Sequence, residues 1–298
     1  MSRFAFVDRE KAFYPVNLLC SLLKVSRSGY YAWAKRAPCK RRVADEVLAV
    51  QIGGFYRASR KTYGAARIHA DLRDAGVHVG RKRVARLMRE HGWQGVHRRS
   101  WRHFTKPDAG AVPAPDLLDR DFTATAVNQK WVADVTYVPT VSGWLYLAVV
   151  LDVFSRRIVG WSIDTNRKTR LVCDAVTMAV ANRGGKVAGV IHHSDRGGEY
   201  TSRDLEVALR GCGALASMGS VADCYDNSMV ESFFATLETE LFWAQRHRRF
   251  DTHRDAKLAI FDYIEVFYNR QRRHTSIGNT APVTYETSRA DSGVDLAA

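Results

Sequence analysis

Between residues 130 and 163 the chain passes through three apolar stretches divided by two short turns, and this constrains the fold more than any other feature. Residues 130–140 (KWVADVTYVPT) alternate with a strand's two-residue period. A turn at Ser142-Gly143 leads into residues 144–152, a near-continuous apolar run that suits a central strand covered on both faces. Residues 157–163 supply a third strand, so an antiparallel meander is expected. Residues 169–182 read as a helix, the run up to Ile191 as a short strand, residues 202–210 as a helix and 214–218 as another strand. Three strands followed by alternating helix and strand predict a mixed α/β layer.

Within this pattern three acids stand out. Asp134 shares a strand face with Val132, Thr136 and Val138, and a carboxylate interrupting an apolar face is too costly to be casual. Asp195 follows an apolar run and precedes Gly197-Gly198, a strand end opening into a tight loop. Glu231 lies in a helical pattern set by Met229, Phe233, Leu237 and Leu241. Sixty residues separate the first two acids and 35 the last two. Carboxylates on a central strand, a neighbouring strand's end and a packing helix can converge at a sheet edge. Hard divalent cations bind through such groups, and two of them about 3.5–4 Å apart neutralise the attacking and leaving oxygens of a phosphodiester. Spacing alone is weak support, because 31 acidic residues generate many triplets.

The motifs WVADVTY (131–137), HSDRGG (193–198) and CYDNSMVESFF (224–234) resemble the catalytic signatures of DDE transposases with a retroviral-integrase-like core. More narrowly, they are similar to the second-frame (OrfB) product of the insertion sequence three family, which also has 35 residues between the second Asp and the Glu. The resemblance extends from about Phe4 to Glu286. It implies an RNase H-like mixed five-stranded sheet with flanking helices, preceded by an all-α helix-turn-helix DNA-binding region. It also implies DNA strand cleavage at insertion-element ends and strand transfer, with Asp134, Asp195 and Glu231 holding two Mg²⁺ ions, for which Mn²⁺ can substitute. Packed together without metal, these acids should have raised and coupled pKa values, and activity should collapse at low pH. The family usually has Lys or Arg seven positions after the Glu, whereas this chain has Glu238. An acid there repels the phosphate that the family's cation holds, so either a nearby Arg substitutes or this copy is weakened. Retroviral integrases carry a His-His-Cys-Cys zinc module near the N-terminus, and no such pattern occurs here; no zinc is expected.

Charge divides the chain unevenly. Residues 1–115 hold 24 Lys and Arg against 8 Asp and Glu, net +16, which leaves 21 against 23, net −2, for the rest. The basic third is the expected grip on double-stranded DNA. There, Leu18, Leu19, Leu22 and Leu23 keep helical spacing, and Ser26 reads as the N-cap of a second helix carrying Tyr30, Tyr31 and Trp33. This N-terminal helical segment is assigned residues 1–42, with a basic linker at 35–42. A helix-turn-helix domain follows at 43–95, with helices at 45–56 and from Tyr63, the latter ended by Gly76, and a third after Gly80. Val84, Leu87 and Met88 form the last helix's inward stripe, leaving Arg81, Lys82, Arg83, Arg86 and Arg89 as candidates for DNA contact. The alternative is a solvated charged face on a structural helix. Residues 96–127 read as a basic, then Pro- and Ala-rich linker, 128–288 as the catalytic core and 289–298 as a disordered tail.

Asp152, at the end of a buried strand, is expected to be structural or to support the metal ligands, and His193 to orient Asp195 or to pack at a strand end. Glu199 lies beyond the double glycine and reads as a loop acid. Asn227, four residues before Glu231, is a candidate for DNA contact or for helix capping. A single helix over 251–273, with Ile260, Ile264 and Phe267 inward, ends in Arg270, Arg272 and Arg273, whose cations are candidates for phosphates. The five cysteines (Cys20, Cys39, Cys173, Cys212, Cys224) are scattered without C-x-x-C spacing and are expected to be reduced. No apolar run of about 18 residues and no signal peptide occurs, so a cytoplasmic, nucleoid-associated protein without a membrane partner is expected. By resemblance it forms a homo-oligomer on DNA, alone or fused to the product of an upstream frame. Two rival readings are a non-catalytic DNA-binding regulator on an integrase-like scaffold and a general nuclease.

Overall fold

The computed structural model describes residues 2–96, 114–118, 121–185, 187–219, 228–242 and 249–294. It divides into two units, residues 1–54 and 55–298.

In the first unit, α1 (Arg3–Glu10), α2 (Val16–Leu22) and α3 (Arg27–Lys35) close around Val7, Leu19, Cys20 and Tyr30. The Ser26 hydroxyl accepts from the Gly29 N–H at 3.0 Å and so caps α3 as its sequence predicts. The expected leucine stripe is only partly inward. Leu19 is buried, but Leu18 and Leu22 are exposed, because α1, which the periodicity did not reveal, covers the Leu19-Cys20 side. The expected linker at 35–42 is shorter, since α4 (Lys40–Ala58) already begins within it.

In the second unit, α5 (Ala65–Asp74) and α6 (Arg81–Glu90) pair through Ile68, Leu72, Val84, Leu87 and Met88. Gly76 turns the chain between them at φ 78, a conformation open to glycine and strained for side chains with a Cβ.

The sheet contains β1 (Lys130–Thr140), β2 (Gly143–Asp152), β3 (Ile158–Asp164), β4 (Ile191–Ser194) and β5 (Leu215–Met218) in the order β3-β2-β1-β4-β5. The first three strands are the antiparallel meander, whereas β4 and β5 join in parallel after α7 (Thr169–Asn182) and α8 (Arg203–Cys212). Alternation sends Trp131, Ala133 and Val135 to a core shared with Leu171, Ala175 and Ala179 of α7 and Leu205 and Leu209 of α8. The opposite face of β1, which carries Asp134, is met by α9 (Ser228–Glu240) and α10 (His253–Phe261).

The expected single helix over 251–273 changes character midway. From Asp262 to Tyr268 it widens to a π-helix, which still buries Ile264 and Phe267. The disorder expected over 289–298 is revised in part, because α11 (Pro282–Val294) carries helix past Ser288; residues 295–298 fall outside the described residues. Glu286 anchors that helix, accepting from Arg157 at 2.8 Å and from Arg183 at 2.6 and 3.0 Å.

Gly160 of β3 lets α7 lie against the sheet: a Cβ there would stand 2.1 Å from the Ala175 carbonyl oxygen and 2.8 Å from the Ala179 Cβ. Gly160→Ala must therefore push helix and sheet apart. We expect a loss of about 1–3 kcal/mol in chemical denaturation, the range of an overpacked core. A stability equal to wild type would show that α7 does not rest on this glycine.

Candidate active site

Parallel pairing of β1 with β4 sets Ala133 beside Ser194, so the next residues, Asp134 and Asp195, emerge side by side. Both are half-buried. Asp134 Oδ1 accepts from the Val135 N–H at 2.7 Å and Asp195 Oδ1 from the Gly197 N–H at 3.0 Å. Neither carboxylate has an ion-pair partner among the described residues. Burial first, and then the negative charge of Asp195, push the Asp134 carboxyl up to about 8, with a smaller push from Glu231; the Val135 N–H and Arg167 act against them. Asp195 is also raised, chiefly by burial and then by Glu199, against the Gly197 N–H and Arg167.

Glu231 occupies the first turn of α9, exposed and within electrostatic reach of Asp134. Among the described residues no three His, Cys, Asp or Glu side chains are already gathered as a metal cage. The two aspartates are adjacent, and Glu231 approaches from a separate element.

Three residues not assigned to the site by sequence complete its walls. Glu199, expected as a loop acid, is buried, pairs with Arg167 and acts on Asp195. Arg167 precedes α7, donates to the Tyr137 hydroxyl at 3.2 Å and draws both aspartates toward their charged forms. Nothing in its sequence context (Asn166-Arg167-Lys168) signals this. Tyr200 is fully buried within reach of Asp134, Asp195 and Glu199, and its hydroxyl has no hydrogen-bond partner among the described residues. Gly197 is where these groups converge. A Cβ there would lie 2.8 Å from Glu199 Oε2 and 3.1 Å from Asp195 Oδ1, which the double-glycine motif avoids.

Asp152 and His193 are both held elsewhere. Asp152 pairs with Trp131, on the sheet face opposite to Asp134. It accepts from the Asn128 N–H at 2.9 Å and from the Ser155 N–H and hydroxyl at 3.1 Å, and meets Arg183 at 3.3 Å. It therefore ties the β2–β3 turn to the end of α7 and does not support the metal ligands. The His193 Nδ1 lies 2.9 Å from the Ser217 hydroxyl, across β4 and β5, and its ring meets Phe122 edge-on.

Among the candidate DNA contacts, Arg81, Lys82 and Arg89 are exposed on α6, Arg83 is half-buried and Arg86 is paired with Glu90 at 2.8 Å. Arg270 is exposed. Arg272 departs from expectation, for it is buried with both prongs on Glu240 at 2.8 Å. Arg273 departs too. It holds Asp71 at 2.5 Å and Asp74 at 2.6 Å, and its N–H donates to the Tyr63 hydroxyl at 2.7 Å. These two cations dock the C-terminal segment internally, a role that clustering alone does not reveal. Asn227 and, of the linker expected over 96–127, residues 97–113, 119 and 120 fall outside the described residues.

The integrase core domain family matches residues 124–224 and 231–289, and the HTH-like domain family matches 42–101. Transposase InsF of insertion sequence IS3A from Escherichia coli (strain K12) is 35% identical over 287 residues, covering 95% of this chain and 98% of that protein. This chain is an IS3-family transposase. An uncharacterized 31 kDa protein of insertion element IS600 from Shigella sonnei is 40% identical over 267 residues, 90% of this transposase and 97% of that protein. Among solved structures, the catalytic core of HTLV-2 integrase in complex with magnesium aligns over 55% of this transposase and 99% of that chain, at 14% identity and a TM-score of 0.40. No helix among the transposase's described residues is long and apolar enough to cross a membrane.

The raised Asp134 carboxyl carries a sign that can be tested. Its folded-state pKa of about 8 exceeds the ordinary 3.8, so its contribution to stability is full below about pH 4 and is lost as pH rises through 8. Without divalent metal, Asp134→Asn should be close to wild type in stability at pH 4. It should become progressively more stable than wild type up to about pH 8, as thermal melts across that range would record. A difference that does not vary with pH would show that Asp134 is not held in this state.

Proposed function

We propose that this transposase cleaves DNA at its element's ends and transfers the freed strand through Asp134, Asp195 and Glu231, the three acting as ligands for divalent metal. The carrying observation is the side-by-side placement of Asp134 and Asp195 by parallel pairing, half-buried and without an ion-pair partner among the described residues. Their donor set fits such an ion. Every candidate ligand is a hard carboxylate oxygen, the burial and then the neighbouring negative charge that raise both aspartates are what a dication offsets, and the orphaned Tyr200 hydroxyl marks the polar wall beside them.

Asp134, Asp195 and Glu231 would hold magnesium, or manganese in its place, two ions per site. When bound, the metal supplies charge neutralisation at the attacking and leaving oxygens of the phosphodiester. The chain's own residues set the conditions. Asp134 releases its proton as it becomes a ligand. Arg167 keeps Glu199 paired and away from competition for the same cation. Water would attack phosphorus at the element end as the P–O3′ bond breaks, its proton passing to the departing oxygen as a free 3′-OH; that hydroxyl would then attack a second phosphodiester, whose own 3′ oxygen leaves, so each step makes one P–O bond and breaks one without a covalent enzyme intermediate. Glu231, in the first turn of α9, would complete the ligand set. The exposed Arg81, Lys82 and Arg89 of α6 are the first candidates for DNA contact. The working form is an oligomer on DNA, alone or joined to an upstream-frame product.

Strand cleavage and joining on labelled duplexes carrying the element's ends, with Mg²⁺ or Mn²⁺, tests the proposal. Wild type should give end-specific products, and Glu231→Gln should lower their rate at least about a hundredfold while retaining DNA binding. Equal products from the variant would remove Glu231 from the mechanism, and cutting of any duplex alike would favour a general nuclease.

A further inference from the structure

Away from the aspartates, three guanidinium groups from distant parts of the sequence line one open cavity of about 280 Å³. They are Arg67 of α5, Arg156 of the β2–β3 turn and Arg272 beyond the π-helix. Ser232 and Thr236, one turn apart on α9, add hydroxyls to the same wall. Ser232 directly follows Glu231, so the cavity flanks the helix that carries the third candidate ligand.

The charges do not balance. Glu240 grips Arg272 with both oxygens and lies 3.6 Å from Arg67. Arg156 has no ion-pair partner among the described residues, although burial makes its charge harder to hold. Three cations against one carboxylate leave two positive charges unmatched. His274 responds to all three arginines: burial and their combined field push its pKa well below the ordinary range, so the ring stays neutral. The nearest partners of Arg272 Nη1 are that ring's nitrogens, at 3.4 and 3.5 Å, which leaves donor capacity toward the cavity. Arg156 also holds φ at 65, a conformation disfavoured for any residue with a Cβ.

Guanidinium forks interleaved with hydroxyls recognise tetrahedral oxyanions. We propose that this cavity binds one phosphate group, and that in the working protein the group is a backbone phosphodiester of DNA lying between α9 and α5. The phosphate site stands on the cavity itself. Its assignment to DNA rests on the function proposed above.

Arg156 is the residue to change, because its side chain forms no ion pair among the described residues and Arg156→Gly relieves the backbone at φ 65. Binding of inorganic phosphate to the full chain should be followed by phosphorus NMR and thermal shift. Binding of an element-end duplex should be followed at several salt concentrations without divalent metal. We expect saturable phosphate binding in wild type, at least tenfold weaker in Arg156→Gly and largely restored in Arg156→Lys. For the duplex, the slope of log affinity against log salt should fall in magnitude by about 0.9, one phosphate contact. Phosphate binding lost with an unchanged duplex slope supports the site and assigns it to a free anion. Wild type without saturable phosphate binding, or Arg156→Gly binding as wild type does, overturns the proposal. Neither arm needs catalysis, so a protein that binds phosphate here but yields no strand-transfer products would fail the proposed function alone.

Discussion

Two carboxylates kept partly out of water on adjacent parallel strands set the terms for everything around them. Asp134 and Asp195 cannot both ionise cheaply, because each lacks an ion-pair partner and each is partly desolvated. The fold accepts this frustration and does not relieve it. Arg167, the cation that acts on both among the described residues, is engaged with Glu199 and donates to the Tyr137 hydroxyl. A site built this way keeps a proton on Asp134 near neutral pH, where β1 pairs with β4.

The same logic of matched and unmatched charge runs through the second unit. Where positive groups serve architecture they are fully answered: Arg273 by Asp71 and Asp74, Arg183 by Asp152 and Glu286, Arg272 by Glu240. Removing one partner of such a buried pair is strongly destabilising, since the other charge stays behind. Arg67 and Arg156 are not fully answered in this way, and both open onto one cavity.

Much of this was legible in the residues. Alternation in 130–140 and the turn at Ser142-Gly143 foretell β1 and β2, and with them the placing of Asp134 on a strand face. The stripe Val84, Leu87 and Met88 likewise foretells which side of α6 is buried. What the sequence concealed depends on partners far along the chain. Arg272 and Arg273 look like a phosphate cluster until Glu240, Asp71 and Asp74 are seen against them. Asp152 reads equally as structural or as a support for the metal ligands until strand pairing places it on the face opposite Asp134. Arg167 and Glu199 carry no local signal, because 31 intervening residues hide their pairing. The leucine stripe of α2 misleads for the opposite reason: short helices bury whichever side a neighbour covers, and α1 covers Leu19 but not Leu22.

The central claim is that Asp134 holds a proton in the metal-free protein and surrenders it to a cation. Calorimetric titration with Mg²⁺ at pH 7, in two buffers of different ionisation enthalpy, counts the protons released on binding. Wild type should release about one proton or more per chain, and Asp134→Asn should bind weakly with little release. Tight binding by wild type with no proton released would contradict the account.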